Sequence, residues 1–284
     1  MGKNTAIITI VLSLFFANAS FAATVGGPAD MTVPESSFFS KEEAVGDTLD
    51  FYESELEMKA GFDVEFISKK ELESSPADDS NMKLEGQNAN LKFSANWMNV
   101  IEPYVKIGSS NIRVKWEQHG QAIKVDADPG FVYTGGLKAK LWEFAATGIK
   151  LTLDGQYKDT QLDFDTAKID GSVATAAATN ETFEIREWQF SLLASKKFIF
   201  PLGIQDCYTV PYLGVTYSDS EVNVEFTQSS TGLLYSTYDA GNKERIGIVA
   251  GCDIIPSLSS WYLLSVELRL INEMAFSLSG TMRF

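Results

Sequence analysis

The chain has one histidine and two cysteines in 284 residues, and after its first 22 residues it has no apolar run long enough for a membrane-spanning helix, which needs about 20 residues. Mean hydropathy is −0.04 with 45% hydrophobic residues. An α-helical membrane protein is thereby excluded, whereas a barrel, which shows lipid only its alternate residues, is allowed. No phosphate-binding glycine loop, zinc-ligand spacing or cofactor fingerprint occurs, so neither cofactor nor metal is expected. Basic residues are scarce, 23 against 38 acidic ones for a net charge of −15. Such a surface argues against a nucleic-acid partner.

The N-terminus reads as an export signal. Lys3 precedes an apolar run over residues 6–16, and Ser20-Phe21-Ala22 offers the small residues of a cleavage site, so a Sec-type signal over 1–22 with a mature start at Ala23 is expected. No cysteine stands directly after the site, so no lipid anchor is indicated. Loss of Lys3 leaves 22 basic residues against 38 acidic, a balance of −16. Residues 23–55 lack strand alternation. Ser40-Lys41-Glu42-Glu43 spells a capping box, and the segment is expected to be an arm or a plug.

From Leu56 onward the pattern has a period of two. At the C-terminus Met274, Phe276, Leu278, Gly280, Met282 and Phe284 alternate with Ala275, Ser277, Ser279, Thr281 and Arg283; at the start Leu56, Met58, Ala60, Phe62, Val64 and Phe66 alternate with Glu57, Lys59, Gly61, Asp63 and Glu65. Successive side chains of a strand face opposite ways, so each stretch suits a wall with oil on one side and polar groups on the other. Further strands start near Ala89, Pro103, Phe131, Ile149, Glu187, Pro211, Arg245 and Tyr262. In the third, the apolar phase changes around Ser109-Ser110 and resumes at Ile112, Val114 and Trp116, which predicts a bulge. Pro103-Tyr104 and Pro211-Tyr212 each open a strand, where a missing N–H is tolerated. About ten strands result (eight or twelve being the alternatives), joined by short turns alternating with loops over 68–81, 117–130, 159–182 and 227–242. The fold expected is an all-β, antiparallel up-and-down transmembrane barrel over 56–284.

A final alternating strand closed by Phe284 resembles the C-terminal signature of Gram-negative outer-membrane β-barrels, and residues 103–108, 133–141 and 148–157 resemble strands of small barrels of the OmpA, OmpX and Opa type. The resemblance implies an outer-membrane location, assembly machinery that reads Phe284, and lipid and lipopolysaccharide as neighbours of a monomer. Long loops then face outward, and the short turns and the 23–55 arm face the periplasm. Trp97, Tyr104, Trp142, Tyr208, Tyr212, Trp261 and Phe284 lie near the short turns and are expected to form an interfacial aromatic belt.

The alternate face assigns Glu57, Lys59, Asp63, Glu65, Lys92, Lys138, Lys140, Lys150, Asp154, Glu187, Arg245, Asp253, Glu267, Arg269 and Arg283 to the lumen. Both signs are present in similar numbers, and in a narrow barrel such charges are expected to pair, because burying an unpaired charge is costly. The expected function is non-enzymatic: a structural or surface-interaction role carried by the outer loops. A passive small-solute channel is the alternative, and a hydrolase a distant third. His119, with Asp126 or Asp128 as orienting partner, is the one acid–base candidate, and no Asp-x-His of the omptin proteases occurs. Asp126, Asp128, Asp163 and Asp165 supply oxygen ligands but complete no calcium loop. Cys207 and Cys252 are both placed near the periplasmic rim, where a cross-strand disulfide is expected.

Overall fold

The computed structural model describes Pro28 and residues 56–74, 80–174, 181–202, 205–256 and 261–283. The segment expected as an export signal, the rest of residues 23–55 expected as an arm or a plug, and Phe284 lie outside the described residues.

Ten strands close one antiparallel ring: β1 (Leu56–Glu73), β2 (Ser80–Trp97), β3 (Ile101–Gln118), β5 (Gly130–Phe144), β6 (Ile149–Gln161), β9 (Thr182–Lys196), β11 (Gln205–Thr227), β13 (Ile246–Ile255), β14 (Tyr262–Leu270) and β15 (Glu273–Arg283). The seam is β15 against β1, running from Lys59 opposite Arg283 to Lys70 opposite Glu273. At the far end of the ring, away from the start of β1, the segments expected as loops are largely strand. They contribute β4 (Gln121–Ala127), β7 (Phe164–Ile169), β8 (Ser172–Ala174) and β12 (Leu234–Asn242), while β10 (Phe198–Leu202) folds back on β11 at the near end.

Polarity changes along the barrel axis. On β3, Val105 and Ile107 face out while Tyr104 and Lys106 face in; beyond Ser110, Ile112, Val114 and Trp116 face in while Arg113 and Glu117 face out. The bulge expected at Ser109-Ser110 is absent: Ser109 and Ser110 pair in unbroken register with Ala89 and Asn88 on one side and with Phe131 and Gly130 on the other. What changes is the medium outside. In the first half the wall is surrounded by hydrocarbon and hides its polar residues; in the second it is surrounded by water and hides its apolar ones. β2, β9 and β11 do the same, with Met82 and Leu84, Phe183 and Ile185, and Val222, Val224 and Phe226 turned inward at the far end. Register does break elsewhere, in β1 between Ile67 and Lys69, beyond the point where that strand was expected to end, in β5 between Lys140 and Trp142, and in β11 between Val222 and Val224.

The inward apolar residues form one core around Trp116, Phe226, Val114, Val224, Ile123 and Tyr235. Each such side chain contributes roughly 1.5–3 kcal/mol by leaving water. β13, β14 and β15 are too short to reach this height. β12 takes their place, pairing with β11 (Phe226 opposite Tyr235) and with β1 (Leu72 opposite Asn242), so that it joins those two strands at this level. The outer face of the first half is a continuous apolar band including Phe62, Leu91, Phe93, Val105, Leu137, Phe190, Leu213, Val215, Leu264 and Leu278. A soluble monomer rarely exposes so large a patch.

Two tyrosine–glycine pairs repeat. Tyr104 lies opposite Gly136 and Tyr212 opposite Gly251, each ring covering the glycine so closely that a Cβ there would meet it. The hydroxyls reach one strand further, Tyr104 donating to Asp154 at 2.9 Å and Tyr212 to Glu267 at 2.8 Å. The preceding prolines are inside strands rather than at their starts, and Pro211 is tolerated because β11 has a paired partner on one side only at that point, Cys252 of β13. Gly136→Val or Gly251→Val should therefore overpack the wall, with a loss of about 1–3 kcal/mol, measured as a shift in the urea midpoint of the folded band in unheated gels; Tyr104→Ala combined with Gly136→Val should recover part of it.

Candidate functional site

Alternation sends the polar side chains of ten strands into a narrow lumen, where they form two ionic clusters. Toward the near end, Glu102 accepts from Lys59 at 2.9 Å and from Lys92 at 3.2 Å, and lies opposite Lys138, which in turn lies opposite Asp154. Lys106 lies 3.5 Å from Asp63, and Glu57 stands between Lys59 at 3.5 Å and Arg283 at 3.7 Å. Higher up, the Arg269 guanidinium is held among Glu273 at 3.0 Å, Glu267 at 3.7 Å and Glu65 at 3.9 Å, and donates to Gln189. Lys70 donates to Glu187 at 2.9 Å and to Ser220 at 2.7 Å, and Lys158 lies 3.1 Å from Glu65. Nearly all of these groups are buried. Together they present salt-linked side chains rather than a reactive constellation.

The structure brings most of the expected lumen set together, with exceptions. Lys140 and Lys150 lie at the near-end mouth, partly exposed, each 3.7 Å from Glu143. Arg245 leaves the lumen altogether: it precedes β13, its side chain is 55% exposed, and it pairs with Asp219. Asp253 is buried. Sequence reasoning missed Lys70, Glu102, Lys106 and Glu273. Glu102 and Lys106 share the parity of Tyr104, but Glu102 precedes the start expected for its strand; Lys70 and Glu273 lie just beyond the expected strand limits, Lys70 past a bulge that shifts its parity and Glu273 in the same parity as Ser277, Thr281 and Arg283.

The aromatic belt needs correction. Trp97, Trp142 and Trp261 are exposed near the near end, but Tyr104, Tyr208 and Tyr212 are buried. Tyr104 and Tyr212 turn inward because the prolines before them take the outward positions, and Tyr208 packs with Val210, Ile255 and Leu263. The expected disulfide is also overturned. Cys207 and Cys252 are free thiols, and Cys252 lies opposite Pro211, four residues from Cys207. Four strand residues span about 13 Å, whereas a disulfide needs Cα atoms within about 7 Å.

His119 sits with Gly120 in the two-residue turn between β3 and β4, both at positive φ (55° and 74°), the geometry of a tight hairpin. Asp126 is held instead by Arg113 and by Lys124 at 2.9 Å; these hydrogen bonds outweigh the effect of its partial burial and keep its carboxyl below the usual range. Among the described residues no three His, Cys, Asp or Glu side chains are grouped to hold a metal.

No family model matches the chain, and no curated protein matches it. Among solved structures it is similar to the transport unit of the autotransporter AIDA-I from Escherichia coli, at 10% identity over 90% of this chain and 95% of that one, with a TM-score of 0.36. The class is defined by the ring itself: a ten-stranded transmembrane β-barrel of the outer-membrane type.

Two outcomes follow from the ionic geometry. Glu102→Gln leaves Lys59 and Lys92 facing a neutral amide and should cost about 3–5 kcal/mol, read by urea unfolding of the refolded protein; adding Lys59→Met and Lys92→Met should recover most of it. At the tip of β1, hydrogen bonds from Lys69 (2.5 Å) and Lys243 (3.1 Å) hold the Glu71 carboxyl down at about 2, from an ordinary 4.5. A lowered folded pKa stabilises above the unfolded value and ceases to as pH falls through the folded one. The Glu71 carboxyl resonance should accordingly titrate near pH 2, and Lys243→Gln should move its midpoint upward.

Proposed function

We propose that this chain is a non-enzymatic outer-membrane barrel with a closed lumen, serving a structural or surface-interaction role through its far-end sheet. The observation that carries this reading is the apolar core around Trp116 and Phe226, which occupies the wall's interior directly above the salt-linked lumen. Water and ions would have to pass both. A passive small-solute path would require a wet route beside Trp116, and desolvating an ion against such side chains is unfavourable.

In this reading the chain is exported by a Sec-type signal cleaved near Ala22, the arm over 23–55 and the near end face the periplasm, and the β4, β7, β8 and β12 extensions face the exterior. Phe284 serves as the signal for the barrel-assembly machinery, outer-membrane lipid and lipopolysaccharide surround the apolar band, and the barrel works as a monomer. Likeness to the small OmpA, OmpX and Opa barrels remains one of strand pattern.

The test is conductance in a planar bilayer after refolding of the mature chain, with insertion shown independently by protease protection. Silence in high salt is expected. Discrete steps whose size changes with Lys140→Ala or Arg269→Ala would overturn the closed lumen and establish a channel.

A further inference from the structure

The outer face of the far-end sheet carries a row of four lysines. Lys83 on β2 lies opposite Lys115 on β3, Lys115 opposite Lys124 on β4, and Lys124 opposite Lys168 on β7. Neighbouring strands are about 4.8 Å apart, so the row spans about 14 Å. Like charges set directly opposite each other are unfavourable, and this sheet stacks four.

The next row down the strands compensates for the middle of the ladder only. Glu85 lies 2.6 Å from Lys115, and Asp126 lies 2.9 Å from Lys124 while also engaging Arg113. Lys83 and Lys168, the two ends, have no ion pair among the described residues. All four lysines line one shallow groove of about 330 Å³, together with Asn81, Glu117 and Gly171. A locally cationic groove on a chain of net charge −15 is a site for an anion with more than one charged group.

Its height on the barrel favours one source. Ser109 pairs with Phe131 at the top of the apolar band, and Lys115 lies six residues beyond it on β3. At about 3.3 Å per residue and a tilt near 40°, the row stands about 15 Å above the hydrocarbon. That is the layer of phosphorylated sugars in an outer leaflet built of glycolipid. A ligand anchored in the same leaflet reaches the groove at high effective concentration, which a soluble polyanion does not.

We propose that the lysine row formed by Lys83, Lys115, Lys124 and Lys168 docks the phosphates of a phosphorylated glycolipid of the lipopolysaccharide type in the surrounding leaflet. The ammonium groups take the place of the divalent cations that otherwise bridge such phosphates. This rests on the outer-membrane reading above.

The test compares the refolded mature chain with Lys83→Gln/Lys168→Gln, which leaves every described ion pair of the sheet in place, and with Lys83→Arg/Lys168→Arg. Each is titrated with purified lipopolysaccharide and with the same material after enzymatic dephosphorylation, and each is inserted separately into vesicles of phosphatidylethanolamine and phosphatidylglycerol. The glutamine variant should bind the phosphorylated glycolipid about thirtyfold more weakly, the arginine variant should retain binding, and dephosphorylation should weaken the parent protein to a similar extent. Equal binding by parent and glutamine variant, or indifference to dephosphorylation, would overturn the docking site while leaving the barrel reading intact. Failure of all three proteins to insert into vesicles would overturn the membrane reading and the docking site with it.

Discussion

Hydrocarbon offers no hydrogen-bond partner to a peptide group, and the architecture of this chain follows from that. A sheet in lipid must leave no edge, so β15 returns to β1 and ten strands close on themselves. Once closed, the period of two gives each strand one outward and one inward set of side chains. The outward set is apolar wherever the medium is lipid. The inward set is then free to be polar, and here it is heavily charged.

Charge in so narrow a space has to be neutralised locally. Glu102 among Lys59, Lys92 and Lys138, and Arg269 among Glu65, Glu267 and Glu273, meet that condition with several partners per group. Replacing one member leaves its neighbours buried and uncompensated, so each cluster is cooperative in its own right. The tyrosine–glycine pairs contribute differently: each ring fills the lumen over a missing side chain and carries a hydroxyl to a carboxylate two strands away from its own, tying three strands of the wall together.

Where β3 leaves the lipid its logic reverses with no break in register at Ser109 and Ser110. Ile112, Val114 and Trp116 occupy the same face of β3 as Tyr104 and Lys106, yet they build an apolar core because the outer face now meets water. The far-end sheet is therefore closed within and polar without, and its outer surface is where a partner can be met. The lysine row belongs to that surface.

Much of the ring was legible in the sequence. The alternation of residues 56–66 and 274–284, the short turns and the inward parity of Lys59, Asp63, Lys92, Asp154 and Arg269 are local properties, because a strand's two faces are written into successive residues. The far end was misread for a physical reason: a change of apolar phase looks the same whether the backbone bulges or the surroundings change, and residues 117–130, taken for a loop, hold β4 as a paired strand. Inter-strand register was equally hidden. It set Cys252 opposite Pro211 rather than near Cys207, put Tyr104 over Gly136, and aligned four lysines from four strands. The sequence by itself determined which residues alternate and that a membrane wall could be built from them; only the tertiary structure decided which medium each face meets and which residues stand side by side, because those depend on where each strand leaves the lipid and on its pairing with its neighbours.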